Sequence, residues 1–149
     1  MAAQAFKLYN RAIRKLGAGT ISLPGAVRII LVGSAGNFAT RTLSLHSQIT
    51  DEVGTGNGYT ALGKALATEV WTAGASAGQI KFDADDPIWT ATGGAINSIK
   101  ACVLQMSGAT AVRHLLAFAS LTSAAFNLAS GNTLTLQFNS SGIFTAANA

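Results

Sequence analysis

Charge is the scarcest ingredient of this 149-residue chain, with Asp, Glu, Lys and Arg together making up only 11% of it. A soluble domain ordinarily has about a quarter of its residues charged. The shortfall implies that much of the surface lies under something else, either further copies of the chain or a partner. No apolar run approaches the ~18 residues needed to cross a bilayer, so membrane insertion does not explain it. A single cysteine, Cys102, excludes an internal disulfide and a cysteine-built metal centre. Within SIKACVLQM it reads as a small buried hydrophobe. Only two histidines are present, His46 and His114, far apart in the chain. His46 with Ser47, Asp51 and Glu52 spells a Ser/His/acid grouping, yet such chemistry depends on convergence in space rather than adjacency in sequence. No catalytic, cofactor-binding or metal-binding residue is therefore expected, and the chain is not read as an enzyme. A secretion leader is also missing, so synthesis in a cytoplasm is the expectation.

What is there is apolar and β-like. Hydrophobic residues make up 49% of the chain, enough for one domain with a real core. AVRIILV is a short run rich in β-branched residues. QIKFD alternates Ile80 and Phe82 with polar neighbours. TLTLQFN places Leu134, Leu136 and Phe138 on one face and Thr133, Thr135 and Gln137 on the other. SIKACVLQM and RHLLAFASL read as two longer strands joined by a hairpin loop. Turn-rich stretches such as GSAGN, GTGNG, TAGASAG and ASGN separate these runs. ALGKALATEV is read as a loop leading into a strand that holds Val70 and Trp71. Trp71 and Trp89 are expected to be core or inter-sheet anchors. His114 opens a strand, at an edge or an interface.

The opening segment AAQAFKLYNRAIRKLG has Phe6, Tyr9, Ile13 and Leu16 at helical spacing, with Lys7, Arg11, Arg14 and Lys15 on the opposite arc. Gly17 supplies a stop. The spacing predicts an amphipathic helix over 1–17, followed by an antiparallel β-sandwich or jelly-roll-like domain over 25–146, all within one domain spanning 1–149. The basic arc is either a solvated face or a surface that docks on an acidic partner. Because the net charge of +4 is concentrated there, the chain lacks the broad basic face of a nucleic-acid binder, and no specific nucleic-acid partner is expected.

Two motifs invite a chemical reading. GYTALGK completes the pattern G-x-x-x-x-G-K, but Ala65 stands where a phosphate loop needs a Ser or Thr hydroxyl for magnesium. The polar HSQITDEVGTGN before it is not a buried strand, so a Gly-rich connection is expected, with Tyr59 packing and Lys64 at the surface. FDADDPIW carries Asp83, Asp85 and Asp86, half of the six acidic residues. Calcium ligation is one reading. A structural turn is the plainer one, since Pro87 holds Asp86 extended.

The order of the blocks HSQITDEVGTGNGYTALGKALA, FDADDPIWTATGGAI, a strand pair and SGNTLTLQFNSSGIFTA resembles small virion proteins of tailed bacteriophages. The N-terminal FKLYNRAIRKLGAGTISLPGAVRIILV is similar to the same group. The resemblance implies a head decoration (cement) protein, made in the host cytoplasm and bound to major capsid protein on the outer capsid surface. It also implies self-association, with a trimer natural at a three-fold position. Lys7, Arg11, Arg14, Lys15, Asp83, Asp85 and Asp86 are the candidate partner contacts. The alternative is a host-attachment or tail- and fibre-associated module. That role calls for exposed loop aromatics, for which only Tyr59 and Trp89 are candidates. Residues 107–114 are short and carry no acidic or proline-rich loop, which makes a receptor-binding role less attractive.

Overall fold

The β-branched run AVRIILV and the two long apolar segments near the middle of the chain form the three longest strands. The computed structural model describes residues 1–108 and 113–147. In chain order the elements are β1 (Lys7–Leu8), α1 (Asn10–Gly17), β2 (Val27–Val32), a single 3-10 turn (His46–Gln48), β3 (Lys64–Ala65), β4 (Val70–Ala73), β5 (Gln79–Asp83) and β6 (Ile88–Thr90). They continue with β7 (Ile96–Ile99), β8 (Ala101–Met106), β9 (Leu115–Ser120), β10 (Phe126–Leu128), β11 (Thr133–Thr135) and β12 (Phe144–Ala147). The protein is mainly β with antiparallel sheets and little helix. Among the described residues no sheet closes into a barrel.

The largest sheet has the order β1-β9-β8-β2-β3. At its centre Ile29, Leu31, Val103, Leu104, Leu116 and Ala117 are fully or almost fully buried. Successive side chains on a strand point to opposite faces, so β2, β8 and β9 are covered on both sides. This is why they appear in the sequence as near-continuous apolar runs rather than alternations. Tyr9 and Phe38 cover one face through Phe118, with ring centroids 5.0 and 6.1 Å away. Tyr9 also donates its hydroxyl to the Phe38 carbonyl at 2.7 Å.

Three smaller sheets complete the body: β12-β5-β4, β11-β6 and β10-β7. In the first, Trp71, Phe82 and Phe144 lie in one cross-strand row, with Phe82 and Phe144 centroids 5.3 Å apart. Trp89 on β6 is buried opposite Leu134 of β11. Both tryptophans thus pack as anchors, Trp89 fully and Trp71 in part. The run TLTLQFN is regular only as far as Thr135. Beyond it Gln137 takes Ala2 as a parallel bridge partner, and the Gln137 N–H donates to the Met1 carbonyl at 2.7 Å.

The N-terminal segment departs from the expected helix over 1–17. Lys7 and Leu8 pair with Phe118 and Ala117 as an edge strand, Tyr9 is still extended (φ −71°, ψ 146°), and the helix is limited to Asn10–Gly17. The β9 edge carries unpaired backbone groups that need partners, whereas a helix this short has little stability of its own. The apolar stripe is divided accordingly. Tyr9 enters the core from extended chain, Ala12 is the buried helical position, and Ile13 stays 46% exposed. The strands β8 and β9 pair antiparallel as a hairpin requires, while residues 109–112 of the connection read as a short loop lie outside the described residues.

Burial pushes the phenols of Tyr9 and Tyr59 and the thiol of Cys102 well above their ordinary values, with the Glu52 carboxylate adding to the effect at Tyr59. The folded protein keeps three protons that the unfolded chain releases between about pH 8.5 and 10. Stability from these groups is present below that range and declines as pH rises through it. The slope approaches about 4 kcal/mol per pH unit once all three ionise in the unfolded chain. Thermal unfolding followed by circular dichroism should show a Tm that is level from pH 7 to about 8.5 and drops steeply above about pH 10. A Tm unchanged at pH 11 would contradict this burial.

Candidate functional site

The GYTALGK stretch has the geometry of a structural connection. Gly63 leads directly into β3 rather than into a helix. It adopts φ +72°, and a Cβ there would collide with the Ile29 carbonyl. Gly58, at φ +93°, lies equally close to the Thr90 carbonyl. Lys64 donates from Nζ to the Ile88 carbonyl at 2.6 Å, and Tyr59 is only 2% exposed. Its hydroxyl accepts the Leu31 N–H at 3.1 Å and donates to Glu52 Oε1 at 3.0 Å.

Glu52 is the centre of this region. Oε1 also accepts the Leu62 N–H at 2.5 Å, and Oε2 meets His46 Nε2 at 2.9 Å. A carboxylate so engaged pins the segment before β3 to the edge of the central sheet. The Ser/His/acid grouping spelled by the sequence is not assembled as a triad. His46 is turned to Glu52, Asp51 Oδ2 accepts the Ala35 N–H at 2.8 Å, and no hydrogen bond joins Ser47 to His46 among the described residues.

The acidic turn between β5 and β6 is likewise held from within. Asp83 pairs with Lys81 at 3.0 Å and accepts the Ala84 N–H at 3.1 Å. Asp85 accepts the Thr68 hydroxyl at 2.6 Å, and Asp86 accepts the Phe138 N–H at 2.8 Å. Asp85 and Asp86 thus tie the turn to two different neighbouring segments, while Asp83 is held locally at the end of β5. No cluster of three His, Cys, Asp or Glu with metal-ligand geometry occurs among the described residues.

The basic residues behave differently. Arg11, Arg14 and Lys15 line one cleft of about 670 Å³ together with Asn10, Ala18, Thr20, Thr42 and Ser44. Lys7 is not a lining residue and projects, exposed, from β1. None of the three cleft cations meets a carboxylate among the described residues. Lys15 Nζ instead lies 3.1 Å from His114 Nε2. Desolvation, then the charges of Lys15 and Arg11, lower the His114 pKa, so the ring stays neutral and its Nε2 accepts a hydrogen bond from the Lys15 ammonium. The sequence reading missed Thr20, Thr42, Ser44 and His114 as neighbours of α1. Nothing in the spacing of Thr42, Ser44 and His114 signals it, because the Leu45–His114 bridge and the bond from Asn10 N–H to the Arg41 carbonyl bring them there. Thr20 is instead placed locally by its N–H bond to the Lys15 carbonyl.

A second unfilled surface lies at the open end of the β12-β5-β4 sheet. The row Ala73, Ile80 and Ala146 follows the Trp71, Phe82 and Phe144 row on the same face. Phe82 is fully buried, whereas Ile80 is 42% exposed. The face runs beyond the core into a hollow of about 480 Å³ bordered by Trp71, Ile80, Ala146 and Ala147. No family model, curated protein or solved structure matches the chain.

Removing the Tyr59 hydroxyl would leave the Leu31 N–H without its side-chain acceptor and take a donor from Glu52. Tyr59→Phe should therefore lose about 1–3 kcal/mol in urea unfolding. Lys64→Ala, at an exposed position, should change stability by no more than about 0.5–1 kcal/mol. Equal effects from the two substitutions would show that the Glu52–Tyr59 contact does not anchor the segment.

Proposed function

We propose that the protein is a structural component of a phage virion, a cement protein that decorates and stabilises the capsid by binding the outer surface of major capsid subunits. The observation that carries this reading is the apolar sheet face left uncovered around Ile80 among the described residues, in a chain with too little charge for a freely solvated surface. The block order GYT, FDADDPIW and a closing strand after Gly142-Ile143 supports the same reading through its resemblance to such proteins. We read the sheets as layers of a β-sandwich of the jelly-roll-like kind, with self-association, as a trimer, presenting copies of the apolar face to the shell.

The energetics suit repetition. At about 25 cal/mol per Å², roughly 300 Å² of apolar contact contributes about 7 kcal/mol before association costs. Those costs are of similar size for a single contact. Symmetry-related contacts made together by one oligomer overcome them through effective concentration. The host-attachment alternative loses its aromatic contacts, because Tyr59 and Trp89 are 2% and 4% exposed. Val70, Ile88 and Ile13 are further exposed apolar side chains available for packing.

Particles assembled without the protein should lose infectivity faster on heating or osmotic shock than complete particles. Adding the purified protein back should restore resistance. Ile80→Asp should lower occupancy on particles while leaving the Tm of the isolated protein within a few degrees, since Ile80 is already half exposed. Particles that survive identically with and without the protein would end the stabilising role.

A further inference from the structure

Three side-chain cations converge on the α1 cleft without a carboxylate among the described residues to balance them. Arg11 and Arg14 are exposed and Lys15 is half-buried. Arg11 Nη1 reaches only a long 3.5 Å contact with Ser44 Oγ, so both guanidinium groups keep donors available. Near the end of α1 the carbonyls of Arg14, Lys15 and Leu16 accept the N–H groups of Ala18, Gly19, Thr20 and Ile21, and do not compete for those donors. Thr20, Thr42 and Asn10 add side chains that both donate and accept, while Ser44 Oγ already donates to Gln48 Oε1 at 3.1 Å.

We propose that this cleft is the docking site for an acidic protein segment, whose carboxylates are gripped by Arg11 and Arg14 and neutralise Lys15. Guanidinium groups bind carboxylates through paired hydrogen bonds, a stronger and more directional contact than a lone ammonium makes. A peptide suits the lining better than a nucleic acid does. No aromatic side chain borders the cleft to stack on a base. The hydroxyls and the amide match a peptide backbone, which offers donors as well as acceptors, whereas a phosphodiester chain offers acceptors. The chain's own acidic turn is a poorer occupant, because Asp83, Asp85 and Asp86 already accept internal hydrogen bonds. The inference deepens the docking reading above and rests on it for the setting, in which the acidic segment belongs to the capsid subunit.

The test uses the full chain and a fluorescein-labelled hexaglutamate peptide, with binding followed by anisotropy at two salt concentrations. Saturable binding that weakens with salt is expected. Arg11→Glu/Arg14→Glu should weaken it at least about tenfold. Lys100→Glu, the same kind of charge reversal outside the cleft, should weaken it less than about twofold. Circular dichroism checks the fold of each variant, and Arg14→Gln serves if the double variant loses its native spectrum. Absent binding, equal losses in the cleft and control variants, or tighter binding of a thymidine hexanucleotide would overturn the proposal. So would displacement of the peptide by inorganic phosphate at matched charge, or self-association that the double variant abolishes. Hexaglutamate binding with cleft dependence, alongside particles indifferent to the protein, sinks the cement reading alone. Destabilised particles without hexaglutamate binding sink the cleft assignment alone.

Discussion

The fold depends on one constraint: the β2, β8 and β9 ladder is buried on both faces and must be covered on both. Its side chains include Ile29, Leu31, Val103, Leu104 and Phe118, and leaving either face open would expose a continuous apolar surface. The available covers are small. The helix has eight residues, and the other sheets have two or three strands. Elements of that size are marginal alone. Each gains its stability from the central sheet, which explains why the N-terminal segment yields part of its helix to pair with β9.

The covering segments must also satisfy their backbone groups, and the acidic residues do much of that work. Glu52 accepts from Tyr59 and Leu62, Glu69 accepts the N–H groups of Gly25 and Val27, and Asp51 accepts from Ala35. Asp85 and Asp86 accept from Thr68 and Phe138, and Asp83 pairs locally with Lys81, so every acidic residue in the chain already has an internal partner. Among the described residues the cations of α1 are not matched in this way. A modest net charge of +4 therefore becomes a local and unbalanced one. The polarity of this surface follows from structural demand on the acids, more than from any abundance of bases.

Much of the architecture was legible in the chain. The runs around Ile30, Val103 and Phe118 announce strands because burial on both faces removes polar residues from them. Phe82 and Leu134 announce strands by alternation. Less was legible where one residue type serves two purposes. Phe6, Tyr9, Ile13 and Leu16 fit helical spacing, but Tyr9 packs from extended chain and Ile13 faces outward. Ile80 and Phe82 look equivalent in the sequence, and only one of them lies under the core.

The sequence by itself determined the β class, the lack of a magnesium ligand after Lys64, and the concentration of positive charge near the N-terminus. These are matters of composition and local spacing, which no later contact can alter. Tertiary structure alone decided that Glu52 anchors Tyr59, that His114 sits beside Lys15, and that Thr20, Thr42 and Ser44 complete a basic cleft. His114, Thr42 and Ser44 come from backbone pairing between distant segments, where register is set by the burial of whole faces. Glu52 with Tyr59 and Thr20 with Lys15 depend on how short connections turn back on themselves.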